Sequence, residues 1–156
     1  MQFHKTSCSV TIAVLIGMFS ITPLCSAGTS NGKASIKEVK QEAHDLIQAL
    51  EAYSSEQRDE AIRKSKTALE NLDKRIDALE TRIDNNWDKM DKAARKKARA
   101  SLQALHKQRT QVAEWYGSLK SGSADAWQHM KKGFSSAYKD LLDAWEKSEK
   151  EFGSGK

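Results

Sequence analysis

The sequence has very little cysteine or proline, and what it has lies at one end of the chain. Both cysteines, Cys8 and Cys25, and the single proline, Pro23, fall within the first 27 of the 156 residues. From Gly28 onward the chain therefore has no residue for a disulfide, a thiolate metal site or a cysteine nucleophile. Without these, the stability of that part must come from the packing of its side chains.

Residues 1–27 have the three parts of a secretory signal peptide. A short basic start is followed by an apolar run over 10–21, and small residues stand where cleavage between Ala27 and Gly28 would require them. The apolar run is shorter than the roughly 20 residues that a transmembrane helix needs. The pattern predicts a protein that is periplasmic or secreted after cleavage. Lipidation of Cys25 is the alternative, but the small residue expected next to such a cysteine is missing.

The rest of the sequence has no β-strand pattern and no glycine-rich nucleotide-binding motif. It is rich in Ala, Lys, Glu, Asp, Gln and Leu, which predicts a chain that is almost entirely α-helical. Gly-containing and Ser-containing segments at 28–33 and 153–156 predict a flexible lead-in and tail around a single helical domain over 34–152.

Apolar residues recur at intervals of three and four, which is typical of coiled coils. One such seam runs along 62–83, and another along 105–119. Between them the spacing changes to an eleven-residue rhythm, which unwinds a left-handed supercoil locally. We predict an all-α fold: an antiparallel helical hairpin or coiled coil whose long central helix covers 56–120.

A three-helix bundle is the alternative architecture. It requires a break at 84–91, where Asn85 and Asn86 can stop a helix and Asp88 or Asp91 can cap the next one. The three helices would then cover the nearly equal segments 56–84, 91–120 and 124–152.

Two further turns are predicted from small and capping residues. At 121–123, Gly122 can end a helix in a left-handed conformation and Ser123 can cap the next helix. Ser54 and Gln57 have the spacing of a capping box, which predicts that 34–53 folds back onto 58–72.

A turn centred on residue 121 brings Trp115 opposite Trp127. We interpret this pair as an aromatic staple near the closed end of the hairpin, with a ligand-binding cage as the alternative. The same register places Arg99 beside Asp143 and Lys96 beside Glu146.

Residues 92–113 form a basic stretch, with seven Lys or Arg and no acid. Arg99 and Lys96, the basic members of the two predicted pairs, belong to it. The favoured interpretation is a charge face matched inside the hairpin. A lipid-phosphate or polyanion site is the alternative.

The residue types of enzyme and metal sites are present but are not grouped. His44, His106 and His129 lack the spacing of metal-binding pairs, and no Ser, His and Asp cluster on a predicted pocket. A narrow helical hairpin also offers little concave volume to exclude water. We therefore predict no catalytic residues, no metal site, no cofactor and no identifiable small-molecule substrate.

One block of the sequence extends from LDKRIDALETRID through AEWYGSLKSGSADAWQHMKKGFSSAYKDLLDAWEKSEKEF. It resembles a family of small bacterial coiled-coil proteins associated with stress responses. A heptad stretch and a small-residue turn are followed by a motif that consists here of Ala126, Trp127, Met130, Lys131, Gly133, Ala137, Tyr138, Asp140, Leu141 and Ala144. The resemblance implies a coiled-coil fold and a stress-linked role, and it brings no catalytic residues.

These features predict an exported, non-enzymatic scaffold or protein-binding module. Its partner would be another protein or a second copy, and no nucleic acid is expected. The candidate interaction surface consists of the apolar seam residues Ile76, Leu79 and Ile83 and the basic residues Arg95, Lys96 and Arg99. The alternative is an apolipoprotein-like protein whose amphipathic helices bind a membrane or lipid surface.

Overall fold

The computed structural model describes residues 35–153. Four α-helices follow one another: α1 Ile36–Ala52, α2 Arg58–Asn85, α3 Lys92–Ser121 and α4 Trp127–Phe152. One-turn 3₁₀ helices, Ser55–Gln57 and Trp87–Lys89, lie before α2 and before α3. The predicted signal peptide, its cleavage site at Ala27 and Gly28, the lead-in 28–33 and the tail beyond Gly153 lie outside the described residues.

The described chain is all-α, as predicted, and has no β-strand in it. Neighbouring helices pack in the order α1, α2, α3, α4 and back to α1, and α2 also contacts α4 across the core. None of the four described helices contains a stretch of the length and apolarity that crossing a membrane requires.

The predicted long helix over 56–120 is wrong, because α2 ends at Asn85 and α3 begins at Lys92. Two local groups end one helix and begin the next. The Asn86 side-chain amide donates to the carbonyl of Arg82 at 2.8 Å, and Asp91 accepts a hydrogen bond from the Ala94 backbone at 2.7 Å. Both side chains form hydrogen bonds with backbone groups, and these bonds replace the ones that a continuous helix would make. The segments of the three-helix alternative match α2, α3 and α4, and α1 adds a fourth helix.

The predicted turn between the first two helices is confirmed. Gln57 accepts a hydrogen bond from the Ser54 backbone at 3.2 Å, and the chain reverses there. The ammonium of Lys64 lies 5.5 Å from the centroid of the Tyr53 ring, and Arg75 donates to Glu42 at 2.9 Å. These contacts run in opposite directions along the two helices, so α1 and α2 are antiparallel.

The turn between α3 and α4 is located correctly but works differently from the prediction. Gly122 is extended, with φ −72° and ψ 163°, rather than left-handed. Ser123 does not cap α4, whose N-cap residue is Ala126. A Cβ on Gly122 would overlap the sulfur of Met130, so this position needs glycine for close packing rather than for a positive φ.

The register of α3 against α4 also differs from the prediction. Five residues, 122–126, connect the two helices, so facing pairs are centred on residue 124 rather than 121. Lys97 pairs with Glu151 at 2.9 Å, and Trp115 packs against Gly133. Each α3 residue therefore meets a residue six positions further along α4 than predicted. The predicted staple between Trp115 and Trp127 is consequently wrong.

The core is built from one heptad seam of each long helix. Ala98, Leu105, Val112 and Leu119 of α3 are each 0% exposed and meet the buried face of α4. Ile76, Leu79 and Ile83 of α2 are also 0% exposed. The prediction that these three residues form an exposed interaction surface is therefore wrong, because α1, α3 and α4 all pack against α2.

Tyr138 lies in this core beside Phe134. We expect it to make the protein less stable at alkaline pH. Its burial raises the pKa of the phenol to about 12. A pKa raised on folding gives stability that is complete below the unfolded value of about 10 and lost as the pH rises towards 12. We expect the wild type to lose about 2–3 kcal/mol of unfolding free energy across that window, at about 1.4 kcal/mol per unit of pKa difference.

Tyr138→Phe tests this expectation by denaturant unfolding at pH 8, 10 and 11. The hydroxyl lies 3.5 Å from the Ala68 carbonyl, a long hydrogen bond, so the variant should be nearly as stable as wild type at pH 8. It should then lose less stability than wild type at higher pH. Parallel curves for the two proteins would contradict the assignment.

Candidate functional site

Trp127 and Lys131 fasten α4 to the end of α1. Trp127 is 2% exposed, and its indole N–H donates to the carbonyl of Tyr53 at 3.1 Å. The Lys131 ammonium donates to the carbonyls of Glu51 and Tyr53 at 3.1 and 2.6 Å. The last turn of α1 contains no basic residue of its own. Lys131 therefore supplies the cation that the negative end of this helix favours.

This role explains how a lysine is 4% exposed inside a helical protein. The Lys131 ammonium also lies 5.8 Å from the centroid of the Trp127 ring. The two side chains are four residues apart and point to the same end of α1. The tryptophan of the motif is thus a structural anchor whose contacts are made inside the molecule.

Trp115, in contrast, lies at the surface between α3 and α4. It is partly buried, and its ring rests on Gly133 and meets the exposed His129 ring edge-on at 5.4 Å between centroids. A Cβ at position 133 would overlap this ring. Glycine inside α4 thus creates the space in which the tryptophan lies.

A groove of about 510 Å³ surrounds this contact. Trp115 and His129 supply its aromatic surface, and the charged residues along it are Glu114, Lys132 and Asp140. An apolar ring with charged side chains around it is the usual composition of a protein-binding site.

Ser136, whose hydroxyl could act as a nucleophile, also lines the groove. Within the described residues no hydrogen bond joins Ser136, His129 and Asp140. A nucleophile and its base need such contact to react. No three His, Cys, Asp or Glu side chains of the described part are placed to share a metal ion. Within the described residues, the groove therefore shows neither a nucleophile in contact with a base nor a metal-binding cluster.

The basic residues of the predicted interaction surface lie at the beginning of α3. The guanidinium groups of Arg95 and Arg99 lie 5.7 and 5.0 Å from the centroid of the Trp87 ring. Arg95 also donates to the carbonyls of Trp87 and Asp88, which fixes the turn between α2 and α3. Lys96 is exposed. The three residues share one end of α3, but the seam residues predicted to join them are buried.

The predicted charge pairs across α3 and α4 are not formed. Glu146 binds Lys150 and Lys40, at 2.6 and 3.0 Å, instead of Lys96. These hydrogen bonds hold the pKa of the Glu146 carboxyl below its usual range. Arg99 lies over Trp87 rather than beside Asp143. In the observed register, the pair between α3 and α4 is Lys97 with Glu151, and Glu146 instead reaches Lys40 of α1.

Comparisons with known proteins give no match: no protein-family model, no curated protein and no solved structure aligns significantly with this chain. The resemblance to bacterial stress-associated coiled-coil proteins therefore stays a prediction. The four-helix arrangement nevertheless gives several residues of the quoted motif a structural role. Trp127 and Lys131 hold α1, Gly133 receives Trp115, and Met130 packs on Gly122.

The sequence did not indicate that His129 and Gly133 contact Trp115 or that Lys131 binds the end of α1. A signal was present for two of them. A lysine between apolar seam positions indicates a buried cation with an acceptor, and a glycine inside a helix indicates close approach of another group. Neither signal identifies the partner, which lies on another helix.

Gly133→Ala should destabilise the protein because the new methyl group overlaps the Trp115 ring. We expect a loss of about 1–3 kcal/mol in the free energy of unfolding. In a Trp115→Ala background the same change should stabilise by about 1 kcal/mol, because alanine favours helix more than glycine does. Chemical denaturation of the four proteins of this cycle measures both values.

Gly117→Ala is the matched control, since no side chain or backbone outside its own helix lies within 4 Å of the added methyl group. It should stabilise by up to about 1 kcal/mol in either background. An equal effect of the two alanines in the wild-type background would show that Trp115 does not occupy the Gly133 position.

Proposed function

We propose that this chain is an exported, non-enzymatic helical bundle that binds a protein partner through the groove between α3 and α4. The observation that carries the proposal is the partly exposed Trp115 ring, held between Gly133 and His129 in an open groove. Tryptophan is among the residues that contribute most to protein–protein affinity. The large apolar seams of the described helices are buried in the core, whereas the Trp115 ring is partly exposed, which supports the groove as the binding site.

The fixed geometry of Trp115 supports this role. Its ring is restrained by two residues of α4, so a partner loses little side-chain freedom when it packs on the exposed part. The acidic and basic groups at the rim, Glu114, Lys132 and Asp140, can select the orientation of that partner. A stress-linked scaffold in the periplasm or outside the cell is the cellular role that we propose for this binding.

Site-specific photo-crosslinking in the exporting cell tests the proposal. A photoreactive residue replaces Gln111, which lines the groove, or Gln103, which is exposed elsewhere on the same helix. We expect a discrete protein adduct from position 111 and none from position 103. An adduct of twice the chain's mass would identify the partner as a second copy.

Trp115→Ala provides the second readout. It should weaken binding of the identified partner about 30-fold or more, the usual effect of truncating a binding-site tryptophan. Because the ring is only partly buried, the variant should stay folded, which its circular dichroism and melting curve check. Equal crosslinking from both positions, or unchanged affinity of the variant, would contradict a binding site in this groove.

A further inference from the structure

We infer that the outward side of α3 is an electrostatic docking surface for anionic phospholipid bilayers, used by the closed bundle. The buried seam of this helix points inward, and four cations lie on the opposite side at helical spacing. We refer to this set as the basic face: Lys92, Lys96, Arg99 and Lys107. All four are exposed, and they extend over about 22 Å at 1.5 Å per residue.

No acidic side chain of the described residues neutralises the charges of the basic face. Among the described residues, no carboxylate oxygen lies within 4.0 Å of a side-chain nitrogen of these four residues. The cations of α3 that do pair with acids, Lys97 and Arg109, lie to either side, towards α4 and α2. Four of the seven cations in the acid-free stretch 92–113 therefore present their charge to solvent, and the stretch is only partly matched inside the molecule.

The position of Lys92 is unfavourable for the helix itself. It lies in the first turn of α3, where the positive end of the helix dipole disfavours a cation. The first turn contains no acidic residue, and the nearby Asp91 carboxylate is used to cap the Ala94 backbone. Helix stability does not account for this placement, whereas the binding of an anionic partner does.

A bilayer fits this surface better than a nucleic acid does. The four cations follow one side of a single helix and are all exposed. The partly buried Trp87, at the beginning of the basic face, already has two guanidinium groups near its ring, so the ring is not free to stack on a base. Only charge attraction is involved, so the apolar core stays closed.

Vesicle flotation of the exported protein tests the inference, with phosphatidylglycerol mixed into phosphatidylcholine as the anionic probe and pure phosphatidylcholine as the neutral one. We expect binding to the anionic vesicles at low ionic strength, weaker binding at about 0.15 M salt and none to neutral vesicles. Circular dichroism should stay unchanged on binding. Inorganic phosphate should not displace the protein from the vesicles when the ionic strength is held constant, because a bilayer engages several cations at once.

The decisive comparison uses two triple variants of equal net charge. The first variant removes three cations of the basic face through the changes Lys92→Gln, Lys96→Gln and Lys107→Gln. It keeps Arg99 because that residue contacts Trp87. The control changes three exposed lysines of the other helices, Lys37, Lys74 and Lys139, to Gln. The first variant should bind anionic vesicles about 100-fold more weakly, at about fivefold per cation, and the control less than about fivefold more weakly.

Several results would overturn the inference. Equal losses in both variants would show that only net charge matters, and a large gain of helix on vesicles would show that the bundle opens instead. Competition by free phosphate would identify a small-anion site. Binding of an oligonucleotide that depends on the same three lysines, without flotation, would assign the face to nucleic acid. The groove around Trp115 is not altered in either variant, so this test is independent of the proposed function.

Discussion

Trp127→Ala should cost about 3–5 kcal/mol of unfolding free energy, the range expected when a fully buried large aromatic side chain is removed. The ring is 2% exposed, and its N–H binds the carbonyl of Tyr53 at the end of α1. The substitution creates a cavity and also removes one of the two hydrogen bonds to the Tyr53 carbonyl, which keeps only the one from Lys131. Urea denaturation followed by circular dichroism measures the loss.

The loss should be concentrated in α1. That helix has only 17 residues, too few to be stable alone in water, and Trp127 and Lys131 hold its last carbonyls. Hydrogen exchange of the α1 amides should therefore accelerate more than that of the α3 amides. Equal acceleration in both helices would contradict a specific role in holding α1.

Two phenylalanine substitutions separate the hydrogen bond from the packing. Trp127→Phe and Trp145→Phe remove similar volumes from residues that are each 2% exposed. The Trp145 indole N–H has no hydrogen-bond acceptor among the described residues, whereas the Trp127 N–H has Tyr53. Trp127→Phe should therefore cost about 1 kcal/mol more than Trp145→Phe, the net value of one hydrogen bond. A smaller cost at position 127 would show that packing alone holds this ring.

The sequence was sufficient to predict the helical class and several helix ends, because those depend on neighbouring residues. The capping residues Gln57 and Asp91 act on backbone groups three positions away, so their spacing can be recognised directly. Their ability to end a helix is only a tendency. Asn86 and Asp91 together ended α2 and began α3, where the apolar rhythm alone favoured a continuous helix.

The register of α3 against α4 could not be predicted for a different physical reason. A heptad seam repeats, so a displacement of six or seven residues still places apolar residues opposite apolar residues. The length of the connection decides between such registers. The predicted register was centred on residue 121, whereas the five-residue connection 122–126 centres it on residue 124. Because of this difference in register, Gly133 rather than Trp127 packs against Trp115, and the groove forms around that contact.

The anchor of α1 and the burial of α2 depend on contacts between distant parts of the chain. Tyr53 and Lys131 are separated by 78 residues, and nothing in the local sequence of either indicates the other. The seam of α2 was interpreted as a free surface because the hairpin of α3 and α4 was treated as the complete core. In the four-helix arrangement that hairpin binds α2, and α1 covers the remaining side of α2.

Ile76→Ala tests this last point, because an exposed partner surface and a core give opposite results. Ile76 is 0% exposed, so its truncation should lower the free energy of unfolding by about 2–5 kcal/mol, with the exact value set by how far the cavity collapses. Ile62 belongs to the same seam of the same helix but is only partly buried, so Ile62→Ala removes the same atoms and should cost clearly less. Denaturant midpoints of the two variants provide the comparison. If both substitutions left stability unchanged and Ile76→Ala abolished binding of a partner, α2 would be the interaction surface and the closed four-helix core would be wrong.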